Sequence, residues 1–174
     1  DDADKQVSML NELKKDEVLG ELDLLYSQGV EVIEPSDLTG ALRDRQNYYN
    51  NLNLMINGAE KEVVLVTTAK GLSRKADALK RSLDKAKKRG ISIRIVAPLT
   101  KDSKKAVEQL SKVAELKHST DVKSRFCIVD GKELAFSLLD DDKAIPSYDV
   151  GVWVNSGFFA TALMQMFENI WQNA

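Results

Sequence analysis

The sequence predicts an α/β sandwich built on a mixed sheet, and three observations carry that prediction. Val63-Val64-Leu65-Val66 is a continuous apolar run, the mark of a strand covered on both faces. Amphipathic helix and strand segments alternate after it, as in parallel βαβ units. Beyond Asp130-Gly131, a two-residue hairpin signal, the pattern becomes a returning strand, a further strand and a closing helix.

Taken in order, residues 4–27 read as a helix, with Leu10, Leu13, Val18, Leu22 and Leu25 among acids and lysines. Gly29 stops it, Val30 to Ile33 is a short strand, and Pro35 ends that strand. Ser36 then offers an N-cap for a helix through about Gly58, whose stripe is Leu42, Tyr49, Leu52, Ile56 and Ala59. Arg45 falls on the same stripe. After the strand at 63–66, a helix carries Leu72, Ala76, Leu79, Leu83 and Ala86, and Lys88-Arg89-Gly90 closes it as dipole and left-handed cap prefer. Ile91, Ile93 and Ile95 form a strand closed by Pro98, and a helix spans roughly 102–114. Leu116 sits in a short strand, and Phe126 to Val129 is a buried one. Leu134 to Leu138 returns, Val150 to Val154 is another strand, and a helix at 157–172 buries Phe159, Leu163, Phe167 and Ile170.

Composition narrows the function classes. At 174 residues the chain predicts one domain with an appended helix: 1–28 as a linker or dimerisation helix, 29–174 as the globular part. Twenty-five Lys and Arg against 27 Asp and Glu give a net charge of −2, which argues against binding nucleic acid by charge alone. One cysteine, Cys127, and one histidine, His118, rule out an internal disulfide and a four-ligand Cys/His zinc site. A single thiol and the lack of any apolar run near about 18 residues suit a cytoplasmic protein. The chain begins at Asp1 without methionine, which suggests a further segment ahead of it.

One stretch carries candidate chemistry, Lys123-Ser-Arg125-Phe-Cys-Ile-Val-Asp130-Gly131. Lys123 and Arg125 are two residues apart, so on a strand they share a face. Two cations at a strand end with an acid at the next turn fit an anion or polyol site. They equally fit a solvated strand start and an ordinary turn aspartate. Arg45, on an apolar stripe, either snorkels to the surface or forms a salt bridge into the pocket. The Asp140-Asp141-Asp142 run reads as an exposed turn, the lysine- and arginine-rich helix face at 74–89 as solvated, Cys127 as core, and Trp153 and Trp171 as core or dimer contacts.

The same stretch resembles one half of a phospholipase D-type protein. That superfamily carries His-x-Lys-x4-Asp, followed six or seven residues later by Gly-Ser. Counting back from Asp130 places Lys123 at the histidine position and Arg125 at the lysine position, with Ser137-Leu138 where Gly-Ser would stand. The family's nucleophile is that histidine, and a protonated lysine is a poor substitute. Asp130 and the framework alone remain, and the resemblance implies a catalytically inactive fold. The ordered set from the linker helix through the V-E-V-I segment, Ala59 to Val63, Arg89-Gly90-Ile91, Arg125 to Gly131 and the closing helix with Phe167 and Trp171 is similar to the C-terminal effector domain of archaeal TrmB-type transcription regulators. Those proteins join a winged helix to a helical linker and a phospholipase D-like domain that binds sugars and dimerises; no winged helix is present in this chain.

The expectation is therefore a ligand-sensing and dimerisation domain of a transcription regulator, not an enzyme and without cofactor or metal. A sugar or anionic metabolite would bind at Lys123, Arg125, Asp130, Ser137 and Arg45, and DNA would be reached through the missing winged helix. The rivals are a dimerisation-only scaffold with a vestigial pocket and a phospholipase D-type phosphodiesterase or nuclease.

Overall fold

The computed structural model describes residues 2–13, 17–29, 33–121 and 123–174. The chain divides into two units, Asp1–Pro35 and Ser36–Ala174. In the first, α1 (Asp2–Leu13) and α2 (Glu17–Ser27) account for the helix expected over 4–27. Gly29 ends α2 in the left-handed region at φ 64°, the conformation that a residue without Cβ adopts freely. Of the strand expected at Val30–Ile33, residues 30–32 lie outside the described residues.

The second unit is layered. Its strands are β1 (Thr39–Leu42), β2 (Glu62–Val66), β3 (Ser92–Ala97), β4 (Glu115–His118), β5 (Phe126–Val129), β6 (Glu133–Ser137) and β7 (Gly151–Asn155). They form one seven-stranded sheet in the order β1-β7-β6-β5-β2-β3-β4. The β2-β3 and β3-β4 pairs are parallel and the rest antiparallel, so the sheet is mixed as the alternation predicted. One face is covered by α4 (Arg45–Asn57), α5 (Ala69–Ala78), α6 (Lys80–Lys88) and α7 (Lys104–Leu110), through Leu52, Ile56, Leu72, Leu83 and Leu110. The other is covered by α8 (Gly157–Asn173), through Ala160 and Phe167. Central β2 is apolar at every position from Val63 to Val66 because both faces are buried.

Three boundaries differ from those expected, each for a tertiary or local reason. No single helix runs from Ser36 to Gly58. A four-residue helix, α3 (Pro35–Leu38), leads into β1, because Thr39 to Leu42 pair with Val154 to Gly151 on a strand more than a hundred residues away. The N-cap is Asp44, whose carboxylate accepts from Asn47 N at 2.9 Å, so Leu42 belongs to the strand and Arg45 opens the helix. The helix expected over 72–89 is two helices, jointed at Leu79 where ψ is near 0°, yet Leu72, Ala76, Leu79, Leu83 and Ala86 are buried as one stripe. The helix expected at 102–114 is a 3-10 turn at Lys101–Ser103 followed by the short α7. On α8, Phe167 is fully buried but Phe159 is 43% exposed, because Ala160 is the residue facing the sheet in the first turn.

The turn at Asp130-Gly131 forms, with φ of 55° and 63° at its two central residues and Lys132 N donating to Val129 O at 3.0 Å, but the ladder pairs Val129 with Glu133, so three residues separate the strands rather than the two expected. Gly151, at the start of β7, is required for space: a Cβ there would stand 2.7 Å from a ring carbon of Tyr48 and 2.9 Å from Phe136 O.

Candidate functional site

Open α/β sheets bind ligands beyond the carboxyl ends of their parallel strands. At that end of β2 and β3 lies a cavity of about 370 Å³, walled by Thr68 and Pro98 after those strands, Ser124 and Arg125 before β5, Ser137 at the end of β6, and the loop at 138–142. Three of the expected residues, Lys123, Arg125 and Ser137, meet here.

Lys123 and Arg125 do not act as a pair. Both precede β5 rather than lying on it, and their environments are opposite: Lys123 is exposed, whereas Arg125 is 5% exposed. The Arg125 guanidinium donates to both oxygens of Asp149, from Nη1 at 3.1 Å and Nη2 at 2.9 Å, and from Nη2 to Leu139 O at 2.6 Å. Its Nη1 also lies 3.2 Å from Asp141 Oδ1. Burial opposes the guanidinium charge, but the hydrogen bonds and charge of Asp149, with that of Asp141, outweigh it and raise its pKa.

The network extends inward from there. Arg45 donates from Nε to Asp149 Oδ2 at 2.9 Å and from Nη2 to Ala144 O at 3.1 Å, so it forms a salt bridge rather than snorkelling. Neither it nor Asp149 is on the cavity lining, and the structure does not bring Arg45 to the cavity where it is expected. Asp141 accepts from Thr68 Oγ1 and Arg74 Nη2, and Arg74 Nε donates to Tyr49 Oη at 3.3 Å. Burial would push both carboxyls up. Thr68, Arg74 and Arg125 outweigh it at Asp141, as Arg125 and Arg45 do at Asp149, and both pKa values fall below the usual aspartate range. The expected exposed turn at 140–142 is corrected at its centre: Asp140 and Asp142 are exposed, but Asp141 is drawn inside because three donors converge on it.

Beneath the network lies Lys75, 2% exposed, which corrects its assignment to a solvated face. Its Nζ donates to Thr67 Oγ1 at 3.1 Å and sits 5.9 and 5.6 Å from the ring centres of Tyr48 and Tyr49. Burial, with the charges of Arg125 and Arg74, lowers its pKa to about 7. Above, two hydroxyls on the cavity wall are unmatched. Among the described residues, Ser124 Oγ is buried without a hydrogen-bond partner, as is Ser137 Oγ, which has the Tyr48 side chain beside it.

Asp130 is not part of this site. It stands at the far end of β5 and accepts from the backbone N–H groups of Glu60, Lys61 and Glu62 at 2.8–2.9 Å, clamping the start of β2. Those bonds outweigh its partial burial and lower its pKa. Its spacing from Arg125 is that of a strand, which carries the two side chains to opposite ends of the sheet. His118 lies on edge strand β4 and accepts from Leu99 N through Nδ1 at 2.9 Å, outside the cavity lining. Asp141, Arg74, Lys75 and Ser124 carry no sequence signal that assigns them to the binding site. Asp149 does: with Tyr148 it opens a strand beside the 140–142 loop, where a pocket rim is expected, and Arg45, if buried, required a carboxylate.

A family model described as transcriptional regulator TrmB, EBD N-terminal subdomain, matches residues 41–174. No curated protein matches the chain. Among solved structures, the chain is similar to TrmBL2, an archaeal chromatin protein, with a TM-score of 0.61 and 20% identity, over 99% of this chain and 66% of that one. It therefore spans about two thirds of the TrmBL2 chain. It is also similar to Nuc of Salmonella typhimurium, a phospholipase D family member (TM-score 0.61, 18% identity, 77% of this chain and 93% of that one). NucT from Helicobacter pylori aligns with a TM-score of 0.59 at 16% identity, over 77% and 95% of the two chains. The fold is phospholipase D-like.

Proposed function

The chain belongs to the family of TrmB transcriptional regulators, and from that premise we propose that its Ser36–Ala174 unit senses a neutral, polyhydroxylated effector without catalysing a reaction. The observation that carries this reading is the state of Arg125. Its charge is committed to Asp149 and Asp141, so it offers an incoming anion little, while Asp140, Asp141 and Asp142 on the same wall repel one. Among the described residues, the Ser124 and Ser137 hydroxyls have no partners, and a sugar-like hydroxyl supplies both donor and acceptor. Lys123, exposed at the rim, would add one further donor.

The absence of catalysis rests on the same residues. At the nucleophile position stands Lys123, and at the next the salt-bridged Arg125. Neither supplies an imidazole to form and resolve a phosphoenzyme. Self-association is part of the proposal: Val7, Leu10, Val18, Leu22 and Leu24 on α1 and α2 are exposed apolar side chains, as a dimerising linker would present. TrmBL2 is described as binding DNA. In the protein to which this chain belongs, DNA contact would fall to a winged helix outside the chain, in a cytoplasmic archaeal setting.

Thermal shift against sugars, phosphate and sulfate tests the reading. A ligand at about 100 times its Kd adds roughly 2.7 kcal/mol. Ser137→Ala removes an unmatched hydroxyl at nearly constant volume, so it should leave the melting temperature nearly unchanged while abolishing a sugar-induced shift. A shift given by phosphate or sulfate and lost in Lys123→Ala would overturn it in favour of an anion site. A flat panel would leave the dimerisation scaffold, and nitrophenol release from bis(p-nitrophenyl) phosphate would refute the absence of catalysis.

A further inference from the structure

A second cavity, about 420 Å³, opens at the opposite end of the sheet. One wall is α4, presenting Asn51 and Leu54; the other is the sheet, presenting Glu133, Trp153 and Asn155. These three share a face because Glu133 on β6 pairs with Asn155 on β7, and Trp153 lies two residues before Asn155.

Its polar groups ask for one kind of ligand. Asn51 Oδ1 is buried with no hydrogen-bond partner among the described residues, an acceptor without a donor. Burial holds the Glu133 carboxyl above the usual glutamate range, the Asp130 charge adds to the effect, and the Trp153 side chain compensates only in part. Asp130 is spent on backbone N–H groups and contributes charge alone. Glu60 is a third acid on the lining, against one lysine, Lys132. The unmet demand is thus for hydrogen-bond donors and positive charge, beside an apolar surface of indole and Leu54.

We propose that this cavity binds a small organic cation, a primary ammonium carried on an aromatic or aliphatic body. The ammonium, with three donors and no acceptor, satisfies Asn51 Oδ1 and neutralises Glu133. The body lies along Trp153, where a cation also gains from the indole face, and against Leu54. A carboxylate or phosphate ligand would meet three acids, and a neutral polyol would leave the Glu133 charge unrelieved. The site is separate from the Arg125 cavity and does not depend on what binds there.

Calorimetric titration of the full chain with phenethylamine, phenethyl alcohol and phenylacetate tests it. Phenethylamine should bind saturably, in the millimolar range or tighter as a ligand of its size allows, with phenethyl alcohol at least about tenfold weaker and phenylacetate silent. Glu133→Gln keeps the shape and an acceptor for Trp153 but removes the charge, and should weaken phenethylamine about tenfold or more. Leu54→Arg, at a side chain 72% exposed and so tolerated by the fold, places a cation at the rim and should weaken it similarly. Ser137→Ala should leave it unchanged. Equal affinity for amine and alcohol, undiminished binding in both Glu133→Gln and Leu54→Arg, or no saturable heat up to about 50 mM overturns the proposal.

Discussion

Arg125→Met is expected to destabilise the Ser36–Ala174 unit by about 3 kcal/mol at neutral pH. Removing one partner of a buried ion pair costs about 3–5 kcal/mol, mostly through the charge left behind. Here the loss sits at the lower end because neither carboxylate is abandoned: Asp149 keeps Arg45, and Asp141 keeps Arg74 and Thr68. Leu139 O does lose its donor. An unfolding entropy of about 2.1 cal/mol/K per residue gives roughly 0.3 kcal/mol/K for the unit, so the melting temperature should fall about 10 °C. Circular dichroism melts from pH 3 to 7 read both this drop and its pH dependence. Asp141 and Asp149 have depressed pKa values when folded. Their contribution is therefore complete above the unfolded value of about 3.9 and is lost as pH falls through the folded values. Without Arg125 that depression shrinks, so wild type and variant should converge below about pH 4. A drop under 3 °C at pH 7, or a gap that is the same at pH 3 and pH 7, would refute Arg125 as the buried partner of these two acids.

Two further outcomes follow from the buried and clamping groups. Lys75 has a folded pKa lowered to about 7 against an unfolded value near 10.4, so its cost is full below pH 7 and is relieved as pH rises toward 10. Wild-type stability should carry this upward slope between pH 7 and 10, and Lys75→Met should lack it and gain most at low pH; equal slopes in thermal melts would remove Lys75 as the source. Asp130→Ala should cost about 1–3 kcal/mol by releasing three N–H groups at the start of β2, whereas Asp130→Asn keeps an acceptor and the left-handed turn and should cost less. Urea unfolding separates the two, and indistinguishable midpoints would deny the clamp.

The mixed α/β sandwich was readable from the sequence because its signals are local. The apolar run at 63–66, the buried stripe from Leu72 to Ala86 and the Asp130-Gly131 turn each depend on residues within a few positions of one another. β1 was misread as helix because Thr39 to Leu42 become a strand only through β7, and no local period records a partner beyond a hundred residues. The site divides the same way. Lys123 and Arg125 were found through their spacing from the hairpin, and Ser137 through the resemblance to the phospholipase D-type motif; the three do share a cavity, but spacing along a strand could not tell that Asp130 would finish at its other end.

The sequence by itself determined which segments can bury and therefore the layers, since burial of apolar surface depends on composition and period. Only the tertiary structure decided the electrostatics. Arg125 is ion-paired with Asp149 and Asp141 rather than left as a free cation, and Lys75 is buried rather than solvated, because Asp141 and Asp149, Arg45 and Arg74 arrive from four different segments. A charge has the pKa and the ligand preference that its nearest neighbours impose, and those neighbours are set by the fold.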